Sequence, residues 1–251
     1  MAGHSKWANI KHRKGAQDKK RAKIFTRILK EITVAARDGG PDLDSNSALR
    51  VCVQNAKGVN IPKDTIERAI NKGSGSEAEN LQALTYEGYG PFGIAVYLEC
   101  LTDNINRTVA NIRSIFSKSG GSLSTNGSLS FIFDQKGVFT INQSAIETKK
   151  MADIELQLID GGAEEIEKTD EGYLIYTAFE DFGNMQKTLD DLEIEVQLSE
   201  LQRIPTSTVS IDLESAKKII NMIDKFEEDD DINTLFHNME LTDELAEELN
   251  K

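Results

Sequence analysis

Between Gly137 and Ile204 the apolar residues change period in a fixed order, and few folds accept that order. VFTIN (138–142) alternates at strand period, and Ser144 with Glu147 then offers a capping box for a helix running through Ile159. Gly161-Gly162 ends that helix, and AEEIEK and YLIYTAF flank a turn at Asp170-Glu171-Gly172. Phe182, Met185, Leu189 and Leu192 recur at helical steps before IEVQLSELQRI returns to strand period. The sequence of elements is β-α-β-β-α-β, that of a ferredoxin-like split unit.

The flanking segments make a second, interrupted unit. LTYEGYG from Leu84, a turn at Gly90-Pro91-Phe92-Gly93 and IAVYLECL predict a hairpin. A helix from about Asn104 to Lys118 follows, with Ile105, Val109, Ile112 and Phe116 on one side, and SLSFIFD (128–134) is expected as a third strand. Beyond Pro205 come TVSI, a helix carrying Ala216, Ile219, Ile220, Ile223 and Phe226, an acidic EEDDD run and INTLFHNM as a last strand. These pieces complete the unit begun at Leu84. The expected fold class is α+β: an N-terminal three-helix domain over 1–75, an α+β domain over 82–135 plus 206–240, and a ferredoxin-like domain over 136–205 inserted into it.

The helical domain is set apart by charge. Ala22, Phe25, Ile28, Leu29, Ile32, Ala35 and Ala36 recur at three- and four-residue steps and predict a helix, with Asp18 as its N-cap and Gly39-Gly40-Pro41 as its stop. Lys19, Lys20, Lys23, Arg27, Lys30 and Arg37 fall on the opposite side. A second helix is expected from an Asp44 cap to about Lys57, and a third from Pro62 to Lys72, with Ile66, Ala69 and Ile70 inward and Lys63, Arg68 and Lys72 outward. Residues 1–72 hold sixteen basic and seven acidic side chains, a net of +9, which leaves −22 for the remainder of a chain whose formal charge is −13.

Residues 1–16 have no apolar period and read as an arm carrying Lys6, Trp7, Lys11, His12, Arg13 and Lys14. Cations suit phosphates, and an indole can stack on an unpaired base. The plainer alternative is a solvated helix face with Trp7 packed as an anchor on its own domain. The density of cations with so few acids favours nucleic acid.

The stretches MAGHSKWANIKHRK, QDKKRAKIFTRILKEITVAAR, NIPKDTIERAINKG and YEGYGPFGIAVYLECLTDNINRT closely resemble the YebC/PmpR family, and the resemblance runs nearly end to end. It implies a three-domain layout and a DNA-binding transcriptional regulator. Some members and a mitochondrial relative are described as translation factors acting on the ribosome. Ser47 stands where that family often has Pro, and Phe92 where Gly is usual.

Enzymatic chemistry finds little support. His4, His12 and His237 are the only imidazoles, and no Ser/Asp or Cys partner sits in a recognisable catalytic frame. Gly88, Gly90 and Gly93 form a G-x-G-x-x-G string, but in a hairpin turn rather than a strand-to-helix turn, so no dinucleotide site follows. The 228–231 carboxylates lack EF-hand spacing, and Cys52 and Cys100 lie far apart in core-like patterns. No catalytic residue, metal, cofactor or small-molecule substrate is expected. No apolar run nears the ~20 residues of a membrane span, so a cytoplasmic location is expected. The leading expectation is a DNA-binding transcriptional regulator. The alternatives are a translation factor gripping ribosomal RNA and an adaptor setting its basic face on an acidic protein.

Overall fold

The structure, a computed structural model, describes residues 17–75, 80–146, 151–169, 171–242, 245 and 247, with the side chains of the first helix described from Ala22 onward. Two compact units divide the described chain. One takes in 20–75 and 135–202, the other 80–134 and the chain from Arg203.

The first unit opens with α1 (Gln17–Gly39), α2 (Ser47–Gly58) and α3 (Lys63–Ser74). Their apolar faces meet in one core, in which Ile28, Ile32 and Leu49 are inaccessible to solvent. Asp18 lies inside α1, not at its cap. The cap of α2 is Asn46 rather than Asp44: its side chain accepts from Leu49 N at 2.9 Å and donates to Ala35 O and Gly40 O, both at 2.8 Å. Asp44 is displaced because Asp42 organises the preceding turn, accepting from Asp44 N and Ser45 Oγ. Gly40, at φ 85°, makes the left-handed step that ends α1.

The same unit contains β4 (Phe133–Asn142), α5 (Gln143–Ile146), α6 (Met151–Asp160), β5 (Ala163–Lys168), β6 (Gly172–Ala178), α7 (Phe182–Asp191) and β7 (Leu198–Pro205). The sheet order is β5-β6-β4-β7, with β6 antiparallel to both neighbours. Numbered within the unit this is 2-3-1-4, the split order that the periodicity predicts. Phe139, Ile141, Leu158, Ile175, Met185 and Leu189 fill the layer between sheet and helices. The Glu147 half of the expected capping box lies outside the described residues, and IEVQ precedes the last strand instead of starting it.

The second unit contains β1 (Gln82–Tyr89), β2 (Ala95–Thr102), α4 (Ile105–Lys118), β3 (Ser122–Leu123), α8 (Leu213–Glu227) and β8 (Ile232–His237). The sheet runs β3-β1-β2-β8, antiparallel throughout. One face packs Ile94, Val96, Leu98 and Cys100 on Phe116 of α4 and Phe226 of α8, whose rings meet edge-on at 4.9 Å. The expected strand SLSFIFD is a correction: the strand beside β1 is the two-residue β3, 126–132 fold into turns, and Phe133 and Asp134 already belong to β4. The cause is Glu87, a buried carboxylate that accepts from Gly127 N at 2.7 Å, Leu129 N at 2.6 Å and Ser128 Oγ at 3.3 Å. That bonding wraps the loop over the sheet, where Leu129 and Phe133 pack on Ala95, Tyr97 and Phe236.

Candidate nucleic-acid interface

The basic stripe is built on α1, whose other face is fixed by the helical core. Thr33 helps hold it there, donating to Leu29 O at 2.9 Å and lying 3.3 Å from Ala69 O on α3. Of the twelve candidate contacts, Lys6, Trp7, Lys11, His12, Arg13 and Lys14 lie outside the described residues, as do the side chains of Lys19 and Lys20. Lys23, Arg27, Lys30 and Arg37 are described, and all four are half-buried.

Arg37 and Arg27 are engaged with carboxylates. Arg37 Nε donates to Asp38 at 2.8 Å, a bond that raises the guanidinium pKa further above its ordinary value. Arg27 lies 3.9 Å from Glu31 one turn on, and its Nη2 donates to Glu200 of β7. Glu200 is the residue that sequence reasoning misses. SELQRI does read as a strand, but nothing local says that its glutamate faces a helix 173 positions earlier.

Beyond the stripe, α2 and α3 present exposed Arg50, Lys57, Lys63, Arg68 and Lys72, the last three on the outward face that the helical period predicts. Arg50 donates to Leu43 O and Asp44 O, and Arg68 to Asp64 O and Thr65 Oγ1. Lys63 sits 3.6 Å from Glu67. Exposed pairs of this kind are weak, so Lys63 can exchange its carboxylate for a phosphate at little cost.

The helices are anchored to β7, and that fixes where their cations stand. Asn55 of α2, 5% exposed, donates from Nδ2 to Ser199 O at 2.8 Å and accepts from Ser199 N at 2.7 Å. Its carboxamide thus takes the place of a neighbouring strand along the edge of the sheet. A Cβ on Gly58 would lie 2.0 Å from Gln197 O, so glycine alone permits this approach. Cys52, facing the same layer, has its thiol pushed up to about 12, by burial first and the Glu31 charge second, and is inert at neutral pH.

Among the described residues no group of three or more His, Cys, Asp and Glu side chains is placed to hold a metal ion, and no helix is long and apolar enough to cross a membrane. A polar cleft beside Gly58 is lined by Lys57, Asn60, Asn142, Ser144, Glu195 and Gln197.

Residues 5–76 match the model of the TACO1/YebC protein N-terminal domain, and residues 81–239 that of the TACO1/YebC second and third domain. The chain belongs to the TACO1/YebC family. The resemblance carried by the opening arm, α1 and the β1–β2 hairpin therefore holds along the whole sequence. A TACO1/YebC relative from Amoebophilus asiaticus is 49% identical over 95% of this chain and 98% of its own, and one from Photobacterium profundum is 46% identical over 99% and 100%. Both carry the name "probable transcriptional regulatory protein". A crystal structure of a conserved hypothetical protein from Aquifex aeolicus is 35% identical and superposes with a TM-score of 0.78 over 89% of this chain and 91% of that one.

Proposed function

We propose that this chain is a non-enzymatic, cytoplasmic, DNA-binding regulator of transcription, with the arm, α1 and the exposed cations of α2 and α3 supplying the phosphate contacts. The observation that carries the reading is the division of charge, +9 over residues 1–72 against −22 over the rest. A polyanion is drawn to the helical domain and repelled from most of the remainder within a Debye length. The names of the full-length relatives support the regulatory part of this reading.

The test is a salt titration of the full chain on labelled duplex DNA, with structured ribosomal RNA beside it. Neutralising roughly six phosphates gives a log-log slope near −5, or about a thousandfold loss between 50 and 200 mM salt. Lys57→Glu with Lys72→Glu should flatten that slope. A flat titration of the unaltered chain removes the reading. Much tighter binding to ribosomal RNA than to DNA moves it from transcription to translation.

A further inference from the structure

The turn between β1 and β2 holds a strained aromatic residue outside the core. Phe92 sits at φ 62°, ψ 17°, a left-handed conformation that a bulky side chain rarely adopts, and its ring is 48% exposed. Gly93 follows at φ 76°. A glycine at 92 would hold the same turn without steric cost, since the ring fills no core. Strain held at an exposed aromatic points outward, to something the ring meets.

The surroundings narrow what that is. Lys218 of α8 places its ammonium 5.7 Å from the centroid of the Phe92 ring, while its neighbour Lys217 is occupied by Glu214 at 3.3 Å. The turn is pressed on α8, since a Cβ on Gly90 would lie 2.6 Å from Met222 Cε. It is pressed on the turn after α4 as well, where a Cβ on Gly121 would lie 2.9 Å from Gly90 Cα. The end of α4 that carries exposed Lys118 is therefore at the same end of the domain as Phe92. Helix α4, INRTVANIRSIFSK, has three cations and no carboxylate. In a region that is otherwise strongly acidic, this end offers a ring and two ammonium groups.

We propose that Phe92, Lys218 and Lys118 form a stacking site for an unpaired nucleic-acid base, the ring taking the base and the ammonium groups the flanking phosphates. A π-face with adjacent cations is the composition of single-strand platforms, and duplex DNA offers the ring no base to stack on. The inference rests on the nucleic-acid reading above and adds a second contact, on the acidic unit, specific for a looped or melted strand.

The experiment uses the full chain and three fluorescein-labelled probes: oligo(dT), oligo(U) and a duplex of equal length. Phe92→Gly should raise Tm, by relieving the left-handed strain, and weaken single-strand affinity by about 5- to 150-fold, with duplex affinity within about twofold of the original. Phe92→Tyr should retain single-strand binding, and Lys218→Gln should lower it in the same selective way. Unchanged single-strand affinity in Phe92→Gly, with duplex binding intact, overturns this proposal and leaves the functional reading standing. Equal losses on all three probes also overturn it. No binding of any probe by the unaltered chain overturns both.

Discussion

Along the edge of the sheet β5-β6-β4-β7, strand β7 finds its missing neighbour in Asn55, whose amide gives one hydrogen bond to Ser199 and takes one from it. Over the sheet β3-β1-β2-β8, the loop 124–132 is held instead by Glu87, whose carboxylate only accepts, from two backbone N–H groups and one hydroxyl. The difference is one of stoichiometry. A strand edge presents donors and acceptors alternately and is matched by a side chain that has both, whereas a turn presents a cluster of N–H groups and is matched by an anion. The amide joins the helical domain to another part of the chain. The carboxylate ties its own domain's loop to its own sheet.

Exchanging the two chemistries should break this comparison most sharply at Asn55. Asn55→Asp keeps the acceptor for Ser199 N but sets a buried negative charge against Ser199 O, and should cost about 3–5 kcal/mol, read by urea unfolding. Tolerance of that change with little loss would mean that the amide is not matched to the edge. Glu87→Gln is the reciprocal change. Its new NH₂ faces loop N–H groups and should cost about 2–3 kcal/mol, with faster hydrogen exchange at Leu129 and Gly127 and little change at Ser199. If exchange quickens equally at all three sites, the two closures are not independent.

A smaller effect sharpens the same contrast through pH. Asp231, 6% exposed, accepts from Arg107 at 2.7 Å and 2.9 Å and from Thr108 Oγ1 at 2.8 Å. Burial pushes its carboxyl up, but the hydrogen bonds from Arg107 and Thr108 outweigh that and hold it below its ordinary value. A depressed folded pKa gives stability that is present above the unfolded value of about 3.9 and is lost as pH falls through the folded one. Asp231→Asn should cost about 1–2 kcal/mol at neutral pH and remove that part of the acid dependence. The Asn55 junction, which has no titrating group of its own, should show no such change on Asn55→Gln. An unaltered acid profile in Asp231→Asn would remove Asp231 from the account.

What could be read from the sequence divides by range. The helical cores, the β-α-β-β-α-β order and the β1–β2 turn follow from periods and punctuation that act within a few residues. The misplaced third strand shows the limit: SLSFIFD has strand composition, yet a carboxylate forty residues earlier folds it into turns, and Glu87 itself looks like an ordinary outward residue of LTYEGYG. Asp44 is the expected cap of α2, and capping propensity alone does not separate it from Asn46, which caps the helix in the structure. The choice came from Asn46 also reaching Ala35 O and Gly40 O. Within the candidate interface the apolar face of α1 follows from its helical period, whereas the Arg27–Glu200 pair needed the fold. The strain at Phe92 was foreshadowed only by its standing where glycine is usual.

The interrupted domain also fixes an order of events during synthesis. Strand β2 is the most apolar strand of its sheet, and its second neighbour, β8, is encoded after the whole of β4 to β7. At roughly 5–20 residues per second, β2 leaves the ribosome about ten seconds before the strand that covers its edge. The contiguous inserted domain begins later and can finish first. For that interval the nascent chain carries an unpaired hydrophobic edge of the kind that recruits another chain. A slowed ribosome between Thr102 and Ile232 should therefore harm the yield of soluble protein more than the same delay placed before Gln82.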